Sequence, residues 1–443
     1  MTNTLCFSDE PMNVRRRFSR AEVRDALKST ALHHPSYGEL ADFGSVVLPS
    51  RGKYTFPEVV DPLYIHLTAT MRCNARCKGC ISSAVTFKNS PATTIGDTLP
   101  ERDVEGIARL IERDHAGPAT ICIYGGEPLL VPEKLDRFMA LLHERLPDRM
   151  IRFMIYTNGE LLRQAVEKHP RLAEGVWLYS VSIDGGVRQH NEIRRGTDLR
   201  KIRENLRVLK QSYGGQVLMW STLREEQSLK DCFDEFVSLH DSGIANHFFW
   251  HWVETGEPMR DMAGYARAYE LDLRGIMEAH IGRLSHGELL SIVHINELIL
   301  YYLTAKNRGS SACGVELARN YDVMGGEVRP CADLPPEYTL GRIENDGSLA
   351  ISEQELRMLV DYKHELGCYE CGVHSYCGGR CPVQALTSTV DRLVQYCQMM
   401  RLHVAVIGDY IGEIEKGLTQ HSITMQDLWG RSAYYAQLTD VTP

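Results

Sequence analysis

"MRCNARCKGC", residues 71–80, carries three cysteines on one short loop, Cys73, Cys77 and Cys80, in the spacing C-x3-C-x2-C. A structural zinc site or a closed iron–sulfur cube takes four thiolates. Three thiolates on one loop can hold three irons of a [4Fe–4S] cube, which leaves the fourth iron open to another molecule. On spacing alone, a zinc loop that borrows a distant fourth ligand is the competing reading. The loop follows the apolar run "LYIHLTAT" at 63–70. It therefore leaves the carboxyl end of a strand, where parallel α/β folds place their chemistry.

Working outward, strand-length runs recur as "TICIYGG", "IRFMIYTNG", "WLYSVSIDG", "QVLMWSTL" and "HFFWHWVE". Between them lie charged segments of helical period, such as "ERDVEGIARLIERDH", "PEKLDRFMALLHERL" and "LRKIRENLRVLKQSY". Six strand-then-helix units imply parallel strands joined by right-handed crossovers. Six are fewer than a closed barrel requires, so the expected fold is α/β with a partial, open (βα)6 TIM-like barrel. The expected organisation is an N-terminal extension (1–58), the barrel (59–255), a helical connector (256–310), a loop-rich cysteine region (311–400) and a helical tail (401–443).

The 443 residues hold 49 basic and 58 acidic side chains, a net charge of −9, which argues against a nucleic-acid binder. The basic run "VRRRFSRAEVR" reads as a solvated helix or tail. The first twenty residues lack the apolar core of a signal peptide, and no uncharged apolar run reaches the length of a membrane span. A cytoplasmic protein is expected. Of its 13 cysteines, ten fall in clusters, which in a reducing compartment point to metal rather than disulfides. Cys6, Cys122 and Cys232 stand apart; Cys122 reads as an apolar filler of the second strand and Cys232 as a helix-face residue.

Further motifs follow successive strands. After the second comes "YGGEPLL" with Gly125, Gly126 and Glu127, and after the third "YTNG" with Thr157, Asn158 and Gly159. After the fourth comes "SIDGGVRQHNEIRR" with Ser182, Asp184, His190 and Arg194. Together with the cysteine loop, this series resembles the radical S-adenosylmethionine (SAM) enzymes. The resemblance implies that S-adenosyl-L-methionine completes the first cluster through its amino and carboxylate groups. It also implies that Gly125, Gly126 and Glu127 receive the SAM amino group, that Asn158 faces the cofactor, and that Ser182, Asp184 and Arg194 belong to its carboxylate and ribose site. One position departs from the pattern. Where the family places an aromatic residue before the third cysteine, this chain has Gly79.

Seven more cysteines lie near the end: Cys313, Cys331, then Cys368, Cys371, Cys377 and Cys381 as C-x2-C-x5-C-x3-C followed by Pro382, and finally Cys397. The arrangement is similar to the SPASM extension of radical SAM enzymes. It implies two auxiliary [4Fe–4S] clusters, one on Cys313, Cys331 and Cys381, the other on Cys368, Cys371, Cys377 and Cys397, making three with the SAM-binding cluster. An eighth cysteine that some relatives carry before the first has no counterpart in "KNRGSSAC". The fourth position of the nearer cluster then falls to another residue, to solvent or to substrate.

Function follows from the resemblance. SAM is split to a 5′-deoxyadenosyl radical that takes hydrogen from substrate carbon, and the auxiliary clusters offer the second electron an exit. The expected activity is a maturase that oxidises or cross-links side chains of a ribosomal precursor peptide. It would take electrons from a flavodoxin- or ferredoxin-type donor, and a separate protein would recognise the leader. The alternative is an anaerobic sulfatase maturase, or a small-molecule dehydrogenase of the same superfamily. The sulfatase maturases place an aspartate directly after the second SPASM cysteine; here Ala332 stands there and Asp333, the one candidate base, comes next. A plain iron–sulfur electron carrier would have no use for the Gly125–Glu127 and Ser182–Arg194 motifs. The aromatic sixth strand, with Trp250, His251 and Trp252, is a candidate lining for the substrate mouth.

Overall fold

Six parallel strands frame the molecule. In the computed structural model, which describes residues 18–58, 62–82, 95–114, 117–317, 320–352 and 356–432, they are β1 (Leu63–Thr70), β2 (Ala119–Gly125), β3 (Ile151–Thr157), β4 (Leu178–Ser182), β5 (Gln216–Leu223) and β6 (His247–Trp252). Helices α1 (Arg20–Ser29), α2 (Pro100–Asp114), α3 (Pro132–Arg145), α4 (Leu199–Ser212), α5 (Leu229–Asp241), α6 (Met262–Leu284), α7 (Val293–Thr304) and α8 (Val390–Asp409) accompany them. Each strand pairs in parallel with the next in chain order, and the sheet stays open, as a partial barrel does.

The pleat sorts the side chains. Tyr64, Cys122, Met154, Leu178, Leu218 and Phe249 meet inside the barrel, while the alternate residues Ile65, Ile121, Ile155, Val181 and Met219 face the helix layer. Helix α2 shows how that layer is built. It opens on Pro100 and buries Val104, Ile107, Ala108 and Ile111 at three- and four-residue spacing. The connector closes the floor: Val293 at the start of α7 joins the inner cluster, and the Phe248 amide donates to the Ser291 carbonyl at 2.8 Å. Chemistry is left the opposite end, where the strands finish.

Two features were not expected. A seventh parallel strand, β7 (Asn320–Met324), pairs with β1 and continues through the antiparallel β8 (Glu327–Arg329), β9 (Gly341–Ile343) and β10 (Leu349–Ile351) into one ten-stranded sheet. The loop-rich cysteine region also shares the barrel's own core, through Leu334, Leu340, Ile343, Leu359 and Tyr376.

The N-terminal segment docks on the cysteine-rich region rather than on the barrel. Ser19 and Glu22 form a capping box that starts α1. Phe18, Val23, Ala26 and Leu27 then pack against Leu366, Cys368, Leu393 and Val394. Each larger apolar side chain so buried contributes of order 2 kcal/mol. Backbone bonds from Leu48 N to Gly372 O (3.0 Å) and from Gly372 N to Phe43 O (2.9 Å) fix the following loop. Cys6, the first residues of the basic run, and the end of the tail from residue 433 lie outside the described residues. Among the described residues no helix is long and apolar enough to cross a membrane.

Candidate functional site

The cysteine loop leaves β1 at the open end of the barrel and is clamped from four sides. The Gly126 and Glu127 amides donate to the carbonyls of Thr70 and Arg72, both at 2.8 Å. The approach is so close that a Cβ on Gly126 would lie 2.1 Å from the Arg72 oxygen, which explains the second glycine of the motif. Asn158 Nδ2 donates to Asn74 Oδ1 at 2.7 Å. Arg76 and Cys77 pair with Arg195 and Arg194 as a short antiparallel ladder. From the fourth side, Arg224 Nε donates to the Lys78 carbonyl at 2.6 Å. Cys73 is exposed, and Cys77 and Cys80 are half-buried.

Asp184 is the hub beneath this loop. Fully buried, it holds Arg194 in a fork (2.9 and 3.0 Å) and Arg224 at 3.2 Å, and accepts from the Thr222 amide at 2.9 Å. Burial pushes its pKa up, but Arg194 and Arg224 outweigh burial and hold it below the ordinary carboxylate range. Burial likewise raises the Cys77 thiol, with Arg194 and Arg224 opposing it. The two guanidiniums therefore favour the thiolate that a metal requires. Arg224, at the end of β5, had no motif to announce it; only its position on the same rim as Asp184 reveals it.

The remaining motif residues serve this frame. The Glu127 carboxylate accepts from Thr157 Oγ1 (2.8 Å), the Asn158 amide (2.8 Å) and the Leu129 amide (3.1 Å). Burial raises its pKa to about 7. Its carboxylate thus ties the second and third strand ends together and is turned inward. His190 is buried and, with burial pushing its pKa to about 4, is a neutral imidazole joining the Asp184 amide to the Thr197 hydroxyl. Ser182 is half-buried at the end of β4. Gly79 has φ +63°, a left-handed conformation that strains any side chain, and a Cβ there would lie 3.3 Å from Val253 Cγ2, which would have to give way. Beside it opens a cleft of about 140 Å³ whose walls include Arg224, Val253 and Met259.

The barrel mouth is aromatic. Tyr156 meets Trp220 edge-on at 5.6 Å, and Trp220 meets His251 at 5.4 Å. His251 bonds Thr222 Oγ1 at 2.9 Å and is kept neutral by burial, then by Arg380, with a pKa near 3. Its neighbours Trp250 and Trp252 do not line the mouth. Strand alternation turns them outward, against His294 and Tyr269. On the opposite wall, β7 contributes Asp322, which accepts from Tyr124 Oη at 2.8 Å and lies 3.9 Å from His66 Nδ1. Asp322 went unnoticed in the sequence because only the pairing of β7 with β1 brings it into the barrel. Asp333 lies close enough to act on both Cys331 and Tyr124 electrostatically.

The C-terminal cysteines gather as two groups. Burial raises the Cys331 thiol, then Asp333 and Asp322, then Cys381 and Cys313. Burial raises Cys368, then Cys397, Cys377 and Cys371. All twelve described cysteines are free thiols. Buried thiols that repel one another's ionised forms are reconciled by a cation shared among them, so this donor set fits iron–sulfur clusters. Gly378, Gly379 and Arg380, the link from Cys377 to Cys381, all have left-handed φ, between +64° and +88°. Tyr362 donates to the Gly379 carbonyl at 2.8 Å and holds that link from below.

Comparison with known proteins agrees with this geometry. Residues 67–223 match the Radical SAM superfamily. Over 145 residues, 32% of this chain and 34% of the relative, the chain is 29% identical to the serine-type anaerobic sulfatase-maturating enzyme of Bacteroides thetaiotaomicron. Over 350 residues, 77% of this chain and 71% of the relative, it is 22% identical to the antilisterial bacteriocin subtilosin biosynthesis protein AlbA of Bacillus subtilis. The chain spans less than two thirds of the length of several curated relatives that it matches. In fold it is similar to native anSMEcpe with bound AdoMet and Cp18Cys peptide, with a TM-score of 0.61 at 18% identity, over 81% of this chain and all of that one.

Proposed function

We propose that this chain, which carries a radical SAM domain over residues 67–223, is a maturase that oxidises or cross-links side chains of a ribosomally made precursor peptide. One observation carries the reading: a three-cysteine loop with Cys73 exposed stands at an aromatic barrel mouth, and seven further cysteines, Cys368 buried and the others half-buried, gather in the region that continues the barrel sheet. Cys73, Cys77 and Cys80 would hold the SAM-binding [4Fe–4S] cluster. Cys313, Cys331 and Cys381 would hold one auxiliary cluster, and Cys368, Cys371, Cys377 and Cys397 the other. When bound, SAM and its cluster supply the radical that removes a hydrogen atom from substrate carbon.

The chain's own residues do the rest. Asp184, Arg194, Arg224 and Asn158 hold the cysteine loop in place. The cleft beside Gly79 offers Val253 and Met259 as apolar walls for the purine, in place of the missing aromatic residue. Tyr156, Trp220 and neutral His251 orient a peptide side chain and exclude water. Asp333, with Asp322 beyond it, is the acid near the first auxiliary group and the candidate base for a substrate proton. A flavodoxin- or ferredoxin-type donor would supply electrons, and a separate leader-binding protein would complete recognition.

Support comes from the bacteriocin relative, named for its biosynthesis, and from the likeness in fold to a peptide-bound structure. The second reading, formylglycine formation on a sulfatase, is favoured by the sulfatase-maturating relative. Anaerobic co-expression with short peptides encoded beside the gene, followed by intact mass, separates the two. Loss of two hydrogens from a peptide, abolished by alanine at Cys73, Cys77 and Cys80, supports the peptide maturase. An unchanged peptide mass with continuing SAM cleavage, and oxidation of a sulfatase-derived peptide instead, supports the second.

A further inference from the structure

Arg401 is 1% exposed, among the largest fully buried side chains of the molecule. It lies one helical turn after Cys397 on α8, so both project from the same helix face. It lines the cavity framed by Cys368, Cys371, Cys377, Cys381 and Cys397, which a second buried guanidinium, that of Arg380, also lines. Its other contacts are neutral: Nη1 donates to the Leu40 carbonyl, the guanidinium lies 5.0 Å over the Phe43 ring, and Nε has no hydrogen-bond partner. Among the described residues no carboxylate forms an ion pair with it. A guanidinium so placed is costly to bury unless something anionic shares its cavity.

A cube held by four thiolates is such an anion, and it becomes more negative by one charge on reduction. A fixed cation beside it therefore favours the reduced form. We propose that Arg401 is the internal counter-charge of the cluster on Cys368, Cys371, Cys377 and Cys397, and raises its reduction potential so that it accepts electrons. The N-terminal segment completes the device. Leu40 and Phe43 fix the guanidinium, and Phe43 also packs on the cluster loop at Gly367, where a Cβ would lie 2.6 Å from its ring. Both the Leu40 carbonyl and the Phe43 ring point Arg401 without neutralising it. The inference rests on the cluster assignment proposed above.

The test is an EPR-monitored redox titration of the anaerobically reconstituted full chain. Cys397→Ala first identifies the signal that belongs to this cluster. Arg401→Gln should then lower the reduced-to-oxidised ratio of that signal at a fixed poise by at least about tenfold, equivalent to about 59 mV for a one-electron couple. Arg401→Lys should keep it near wild type, and the other signals should not move. A midpoint unchanged in Arg401→Gln overturns the inference while leaving the cluster assignment standing. If Arg401→Gln loses the cluster and Arg401→Lys restores it at the wild-type potential, the counter-charge role is supported; loss in both variants overturns it. If Cys397→Ala removes no signal, the cluster assignment itself falls, and the role of Arg401 with it.

Discussion

The two cysteine-bearing regions of this molecule are built on opposite principles. The loop at 73–80 is held by backbone bonds, a two-residue ladder and two guanidiniums shared with one carboxylate, and it leaves Cys73 exposed. The group at 368–397 is more enclosed: Cys368 is buried and Cys371, Cys377 and Cys397 are half-buried, α8 closes one side, and the N-terminal segment closes another. Openness suits a metal that must take its last ligand from a small molecule. Enclosure suits a metal that passes only electrons, since a dry, low-dielectric shell makes every fixed charge count.

The contrast can be broken at either end. The largest effect is expected from alanine at Cys73, Cys77 and Cys80 together. SAM cleavage should fall to background while the auxiliary signals persist, as measured by 5′-deoxyadenosine release and EPR. Cys397→Ala should do the reverse, keeping SAM cleavage with dithionite but sharply reducing peptide product per SAM consumed. Asp184→Asn comes next. It leaves Arg194 and Arg224 buried without their carboxylate and should cost about 3–5 kcal/mol. That loss would be read as a lower thermal midpoint and weaker iron retention at the open loop, with the enclosed cluster intact. Asn158→Ala removes one bond to the loop, worth about 1 kcal/mol, and should raise the KM for SAM more than it changes the melting temperature.

A separate effect, read through pH rather than through activity, is expected from Glu127. Its folded pKa, raised by burial to about 7, exceeds the ordinary 4.5, so the folded chain binds that proton more tightly than the unfolded one. The stability this contributes is fully present below 4.5 and is lost as pH rises through 7. Melting of the metal-free chain should record that slope, and Glu127→Gln should flatten it.

Legibility in the sequence followed the same divide. The six strands and their helices could be read because apolar runs and helical periods carry them, and "QVLMWSTL" coincides with β5 residue for residue. The cysteines could be read from spacing. What could not be read was direction and juxtaposition. The motif residues Glu127 and Arg194 spend their charged groups inside the protein, on Thr157 and Asp184. His251 and its tryptophan neighbours alternate as any strand does, but only the closed floor tells which face is the mouth. Strand β7, five residues long and followed directly by an antiparallel strand instead of a helix, has no periodic signal, and Asp322 went unseen with it. Arg224 bonds Lys78 and Asp184, partners far away along the chain and adjacent only in the fold, and neither it nor Arg401 sits in a recognisable motif.

The docking of the N-terminal segment has a consequence for the order of manufacture. Leu32 bonds Gln398 and Leu40 bonds Arg401, contacts separated by more than 360 positions along the chain. Leu32 and Leu40 must therefore wait for Gln398 and Arg401 to be made before they can settle. Until the segment has docked against α8, the four thiols, Cys397 on α8 among them, stay open to whatever delivers iron. Once the segment has docked, delivery and exchange should slow together. The same lid that protects the finished protein thus sets a deadline for its own cofactor loading. A chain released in iron-poor cells should close over an empty cavity, and should fill later only as fast as that segment lifts.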